Sequence, residues 1–158
     1  MKSRFLTIIA ITLLSLTLFS CHKIPVGYLN AENATYVPNV LTFYHEADPT
    51  SEWGKDVTVP WSSTRIQGIS GTNPINFEFV GVKATDGGDV GKFQEMVRGG
   101  HLNVRGGLVQ ISQEGVRMLP LGSYAITLKV FNEGYSKTLE DILTIRVEAK
   151  QVMEDPYY

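Results

Sequence analysis

Cysteine occurs once, at Cys21, so no disulfide within the chain can hold the fold together. A basic surplus is missing as well: 14 Lys and Arg stand against 16 Asp and Glu, and two of the basic residues, Lys2 and Arg4, sit at the very start. Nucleic acid, whose phosphates call for a positive stripe, is excluded as a partner on that ground, and so is a polybasic membrane patch. Tightly spaced metal ligands are lacking, since the three histidines, His22, His45 and His101, lie far apart and no cysteine pair exists. There is no Gly-x-Ser-x-Gly elbow either, and Ile69-Ser70-Gly71 reads as a turn. The expectation is a protein without catalytic residues and without a cofactor. No apolar run reaches the ~20 residues of a bilayer-spanning helix.

The longest uncharged run, residues 5–19, has instead the length of a secretory h-region, ~7–15 residues, behind a positive start. It ends in Leu18-Phe19-Ser20-Cys21, which resembles the bacterial lipobox, with Phe19 bulkier than the usual occupant. That resemblance implies cleavage before Cys21, a diacylated thiol and an acylated new amino terminus. Two or more chains, at about 0.8 kcal/mol per buried CH₂, make a stable tether. Residues 1–20 are expected to be a signal peptide and 21–35 a lipid-anchored spacer that docks through Ile24, Val26 and Tyr28. His22-Lys23-Ile24 carries no acidic export cue, which leaves the leaflet open.

Residues 36–150 suit one domain, and a mobile tail at 151–158 ends in Tyr157-Tyr158. A first strand is expected over 36–44, its start held at an edge by Pro38. Residues 45–52 read as a loop. Val57, Val59 and Trp61 alternate with polar residues, and 64–69 continues the pairing up to a turn at 70–74. Apolar residues at period two over 75–79 predict a core-facing strand. Residues 85–91, with three glycines, read as flexible. Beyond them Val90, Phe93, Met96 and Val97 fall at helical spacing, with Asp89 as N-cap and Gly99-Gly100 as stop, predicting one short helix. Residues 102–111 read as strands broken at Gly106-Gly107, with a turn after them at 113–115.

The sharpest pattern is the alternation of Tyr124, Ile126, Leu128 and Val130, returned by Leu143, Ile145 and Val147. It predicts a hairpin with one buried face. Carried straight through, the register would turn Asp141 inward, so a bulge near Ile142 is expected. The Pro120-x-Gly122-x-Tyr124 entry into this hairpin resembles that of immunoglobulin-like and cadherin-like modules over residues 120–148. The resemblance implies an all-β chain, an immunoglobulin-like antiparallel β-sandwich with one short helix, preceded by the signal peptide.

A lipobox with Lys23-Ile24-Pro25-Val26-Gly27-Tyr28-Leu29 behind it and such a hairpin resembles small lipoproteins of the Bacteroidota, many of which sit beside glycan-uptake transporters. The implication is a lipid-anchored outer-membrane accessory protein whose partners are the membrane and a polysaccharide or glycan-uptake complex. Stacking on sugar C–H faces needs flat side chains, and Trp53, Trp61 and Tyr44 are the candidates. The competing role for Trp61 and Tyr44 is core packing. Asp86 and Asp89 have two readings, as turn and helix caps or as ligands of a bound calcium. A second class of function stays open, an assembly lipoprotein that docks another envelope protein by a sheet edge or the tail.

Overall fold

The computed structural model describes residues 27–152; Cys21, His22, Ile24, Val26, Tyr157 and Tyr158 lie outside them. The described chain is mostly β, with several antiparallel sheets and three short helices. Among the described residues no helix is long and apolar enough to cross a membrane.

Four strands form the main sheet, in the order β2 (Val40–Glu46), β9 (Ser136–Lys150), β8 (Gly122–Phe131), β5 (Asn76–Thr85). The hairpin β8–β9 is its spine, and the period-two pattern decides its orientation. Tyr124, Ile126, Leu128, Val130, Leu143 and Ile145 are all fully buried, each such side chain contributing about 1.5–3 kcal/mol. Asp141 escapes burial as expected. The register shifts between Ile126↔Leu143 and Leu128↔Leu139, Asp141 adopts φ 49, and its carboxylate meets Lys83 Nζ at 2.6 Å on the surface.

A second sheet runs β3 (Trp61–Ser62), β7 (Leu108–Ile111), β6 (Leu102–Arg105), and a two-stranded one joins β1 (Leu29–Asn30) to β4 (Ser70–Gly71). Buried side chains of the two larger sheets and of the helices belong to one hydrophobic cluster, with Trp61, Val109 and Ile111 from the smaller sheet and Phe93 and Met96 from a helix. That helix, α2 (Val90–Arg98), starts and ends where the sequence predicts: Asp89 Oδ1 accepts the Lys92 N–H at 3.0 Å, and Gly99 closes it.

The structure corrects several expectations. Among the described residues one expected helix becomes three, with α1 (Glu52–Lys55) starting at the last residue of the expected loop and α3 (Gln113–Met118) in place of the expected turn. Serine N-caps explain both: Ser51 Oγ accepts from Gly54 N, and Ser112 Oγ from Gly115 N. The sheet is not purely antiparallel, because β2 pairs parallel to β9. The strand expected over 36–44 begins at Val40, while Tyr36 is buried with its hydroxyl donating to Gly107 O at 3.0 Å.

Of the alternating 57–61 stretch only Trp61 is strand, since Val57 is 67% exposed and the chain there comes out of an Asp56 turn. Residues 64–69 form no strand: Gln67 makes a bridge with Thr35, and Ile66 N–H donates to Gly107 O at 3.0 Å. The strand expected over 75–79 extends to Thr85 across a bulge at Val80. The expected spacer folds from Leu29 onward. Leu29 and Asn30 pair with Gly71 and Ser70, Ala31 is buried, and Asn132 Nδ2 donates to Tyr28 O at 2.9 Å and Thr72 O at 3.2 Å. Tyr28, expected to dock, is 57% exposed.

Candidate functional site

Aromatic residues separated in sequence meet at one edge of the main sheet. β2 brings Phe43 and Tyr44, β3 brings Trp61, and α1 lays Trp53 on top. Trp53 and Trp61 stack with ring centroids 4.5 Å apart and planes 15° off parallel. Trp61 also packs against Phe43 at 5.6 Å and Tyr44 at 5.7 Å. Such pairs add about 0.5–1.5 kcal/mol beyond their burial. Trp61 is 3% exposed, whereas Trp53 and Tyr44 are half-buried. Trp61 therefore serves as core packing, whereas Trp53, stacked on it, is left half-buried.

The Trp53 segment is tied down polar group by polar group. The indole N–H of Trp53 donates to Pro60 O at 3.2 Å. The buried amide of Gln113, at the first turn of α3, donates to three carbonyls of the same segment, Trp53 O at 2.8 Å and Asp56 O and Val59 O at 3.1 Å each. Its oxygen accepts from Arg117 Nη2 at 3.3 Å, and Arg117 Nε reaches His45 O at 3.1 Å. Ser51 Oγ donates to Asp48 O at 2.7 Å while capping α1. Gly54 permits the close approach this needs: a Cβ there would collide with the Asp48 carbonyl. Thr58, through its hydroxyl and backbone N–H, holds the Asp56 carboxyl below its ordinary range. The Nε1 of Trp61 is, among the described residues, the buried side-chain polar atom without a hydrogen-bond partner.

The other candidates have local structural roles. His45 Nε2 donates to Leu119 O at 2.9 Å, which fixes the proton on that nitrogen. His101 Nδ1 lies 2.8 Å from Ser112 Oγ, the cap of α3. Asp89 caps α2, and its backbone N–H meets Tyr124 Oη at 3.3 Å. Asp86 sits in the left-handed region at φ 55, its carboxylate 3.4 Å from Thr85 Oγ1. No group of three or more His, Cys, Asp or Glu side chains converges as a metal would need, among the described residues. His22 lies outside them.

Sequence reasoning named Trp53, Trp61 and Tyr44 but not their meeting, and it missed Gln113 altogether. The Ser112-x-x-Gly115 cap was a readable sign of α3. Nothing local in the sequence marks a glutamine that will satisfy three carbonyls more than fifty residues away. Shallow depressions lie on the surface, one of about 380 Å³ at the Gly122 end of the β8–β9 hairpin and one of about 400 Å³ between β1 and the β8–β9 turn. Comparison with protein-family models, with curated proteins and with solved structures finds no match.

Proposed function

We propose that this chain is a lipid-anchored envelope protein whose β-sandwich binds glycan without transforming it. The observation that carries the reading is the aromatic edge: Trp53, half-buried, is held flat on the immobile Trp61, with Tyr44 beside them. An aromatic ring already fixed by packing loses little entropy when a sugar ring stacks on it. The immunoglobulin-like form of the sandwich draws support from Tyr124, whose hydroxyl donates to Pro120 O at 2.9 Å, a few residues upstream, as the tyrosine corner of such folds does. The lipid anchor at Cys21 draws on the lipobox alone. A non-catalytic role accords with His45 and His101 each engaged in bracing a neighbouring backbone or cap.

A second reading, docking of another envelope protein, has β5 in its favour. This ten-residue edge strand has β8 as its only hydrogen-bonded strand neighbour among the described residues. Its bulge at Val80 and its charged Glu78 and Lys83 work against strand addition, so glycan binding is preferred.

Affinity electrophoresis decides between them. The full chain, in a detergent without a sugar headgroup, is run through gels cast with neutral and acidic polysaccharides. Retardation in at least one gel that Trp53→Ala abolishes, while the variant still melts cooperatively, is the expected result. Absence of retardation in every gel, with a stoichiometric protein co-purifying, would reverse the preference.

A further inference from the structure

The main sheet presents one face to the core and the other outward, and the outward face has its own composition. Register pairs share a face, so Tyr44 lies beside Glu148, Thr42 beside Arg146, and Arg146 beside Ser123. These residues cluster at the Gly122 end of the hairpin. There the depression of about 380 Å³ is lined by Asp86, Leu121, Ser123, Arg146 and Glu148, a volume within the ~300–1,000 Å³ of small-molecule sites. Leu121 is 47% exposed on its rim. The side chains of Arg146 and Glu148 form no hydrogen bond or ion pair among the described residues, although they alternate on one face of β9.

The chemistry of the lining narrows the ligand. An anion would meet one guanidinium but two carboxylates, Asp86 and Glu148, and is disfavoured. A hard cation would have two carboxylates with a guanidinium beside them, and is disfavoured too. A neutral polyol presents vicinal hydroxyls that both donate and accept, and it matches a donor fork flanked by acceptors. We infer that this depression is a binding subsite for a neutral sugar, with Arg146, Glu148 and Asp86 taking ring hydroxyls and Tyr44 flanking them from β2. The inference deepens the glycan-binding reading and rests on it.

Tyr44 links the two features, since it touches Trp61 on one side and neighbours Glu148 on the other. The subsite thus adjoins the aromatic edge, and a chain of linked sugars would run from one to the other. Position agrees with this. The chain enters the described body near Tyr28, clamped by Asn132 at the far end of the hairpin. Ten residues of β8 at about 3.3 Å each put roughly 30 Å between that end and the subsite. The subsite therefore lies at the opposite end of the hairpin from the point where the described chain begins.

The test uses the full chain in detergent without a sugar headgroup, on affinity gels cast with amylopectin, laminarin, yeast mannan and polygalacturonate. Arg146→Met, Glu148→Gln and Asp86→Asn, the last chosen because asparagine tolerates positive φ, are compared with wild type, and unchanged melting confirms their folding. The expected result is retardation of wild type in at least one neutral gel, with affinity lowered tenfold or more by Arg146→Met and Glu148→Gln. Neutral-gel retardation that these variants leave unchanged overturns the subsite while the broader reading stands. Retardation only by polygalacturonate overturns the neutral-ligand assignment. If wild type is retarded by none of the gels, both fall together.

Discussion

Replacing Gln113 by glutamate keeps size and shape but exchanges a two-proton donor for an acceptor. In the native protein the two amide protons serve the carbonyls of Trp53, Asp56 and Val59, at a net ~1 kcal/mol per hydrogen bond and ~1–3 kcal/mol for each buried carbonyl then left without a donor. A carboxylate loses those bonds and faces the same oxygens with negative charge, so Gln113→Glu should cost about 3 kcal/mol. With a urea slope of ~1–3 kcal/mol/M, that lowers the unfolding midpoint by roughly 1–3 M. Gln113→Leu should cost about as much, for want of donors rather than by repulsion. The assay is built in, because the protein has two tryptophans and they stack on each other at 4.5 Å. Their exciton couplet in far-UV circular dichroism reports the Trp53 segment directly. Loss of the couplet in native buffer, with the couplet partly restored as acid protonates the new carboxyl, is the expected pattern. A Gln113→Glu protein with wild-type couplet and a midpoint within experimental error of wild type would refute the idea that this amide organises the aromatic edge.

Asp89→Ala removes the N-cap of α2 and should cost about 1 kcal/mol, visible as a lower melting temperature, while Asp89→Asn, which can still accept from Lys92 N, should recover most of it. Tyr36 is buried, and desolvation, partly offset by the neighbouring Ser63 hydroxyl, pushes its phenol from 10.0 up to about 12. Its folded-state value is the raised one, so its contribution is intact below about pH 10 and is lost as pH climbs through about 12. Melting curves of wild type and Tyr36→Phe should therefore converge or cross in that window, the variant being weaker at neutral pH by the lost bond to Gly107 O. Parallel curves throughout would contradict it.

The parts of the fold legible in the sequence are those where one interaction dominates. The β8–β9 hairpin reads out at period two because its inner face is wholly buried, and one charged residue, Asp141, is enough to force a bulge. Helix α2 reads out because an N-cap, an apolar stripe and a double-glycine stop agree. Around Trp53 and Trp61 the local signals mislead. Val57 and Val59 look like a strand, yet their backbone is held by an Asp56 turn and by Gln113 from another element. The parallel placement of β2 beside β9 is equally invisible locally, since either direction buries Phe43. For the site, residue type pointed to the aromatics, but the outward cluster of Arg146 and Glu148 with Asp86 exists only through register.

The proposed glycan-binding role requires a chain fixed to the envelope, and that anchor rests on the thiol of Cys21. Metabolic labelling with an alkynyl palmitate analogue, in cells expressing wild type or Cys21→Ala, tests it most directly. The account predicts a labelled wild-type protein that partitions with membranes and an unlabelled variant released from them; equal labelling of the two, or none in either, would contradict it.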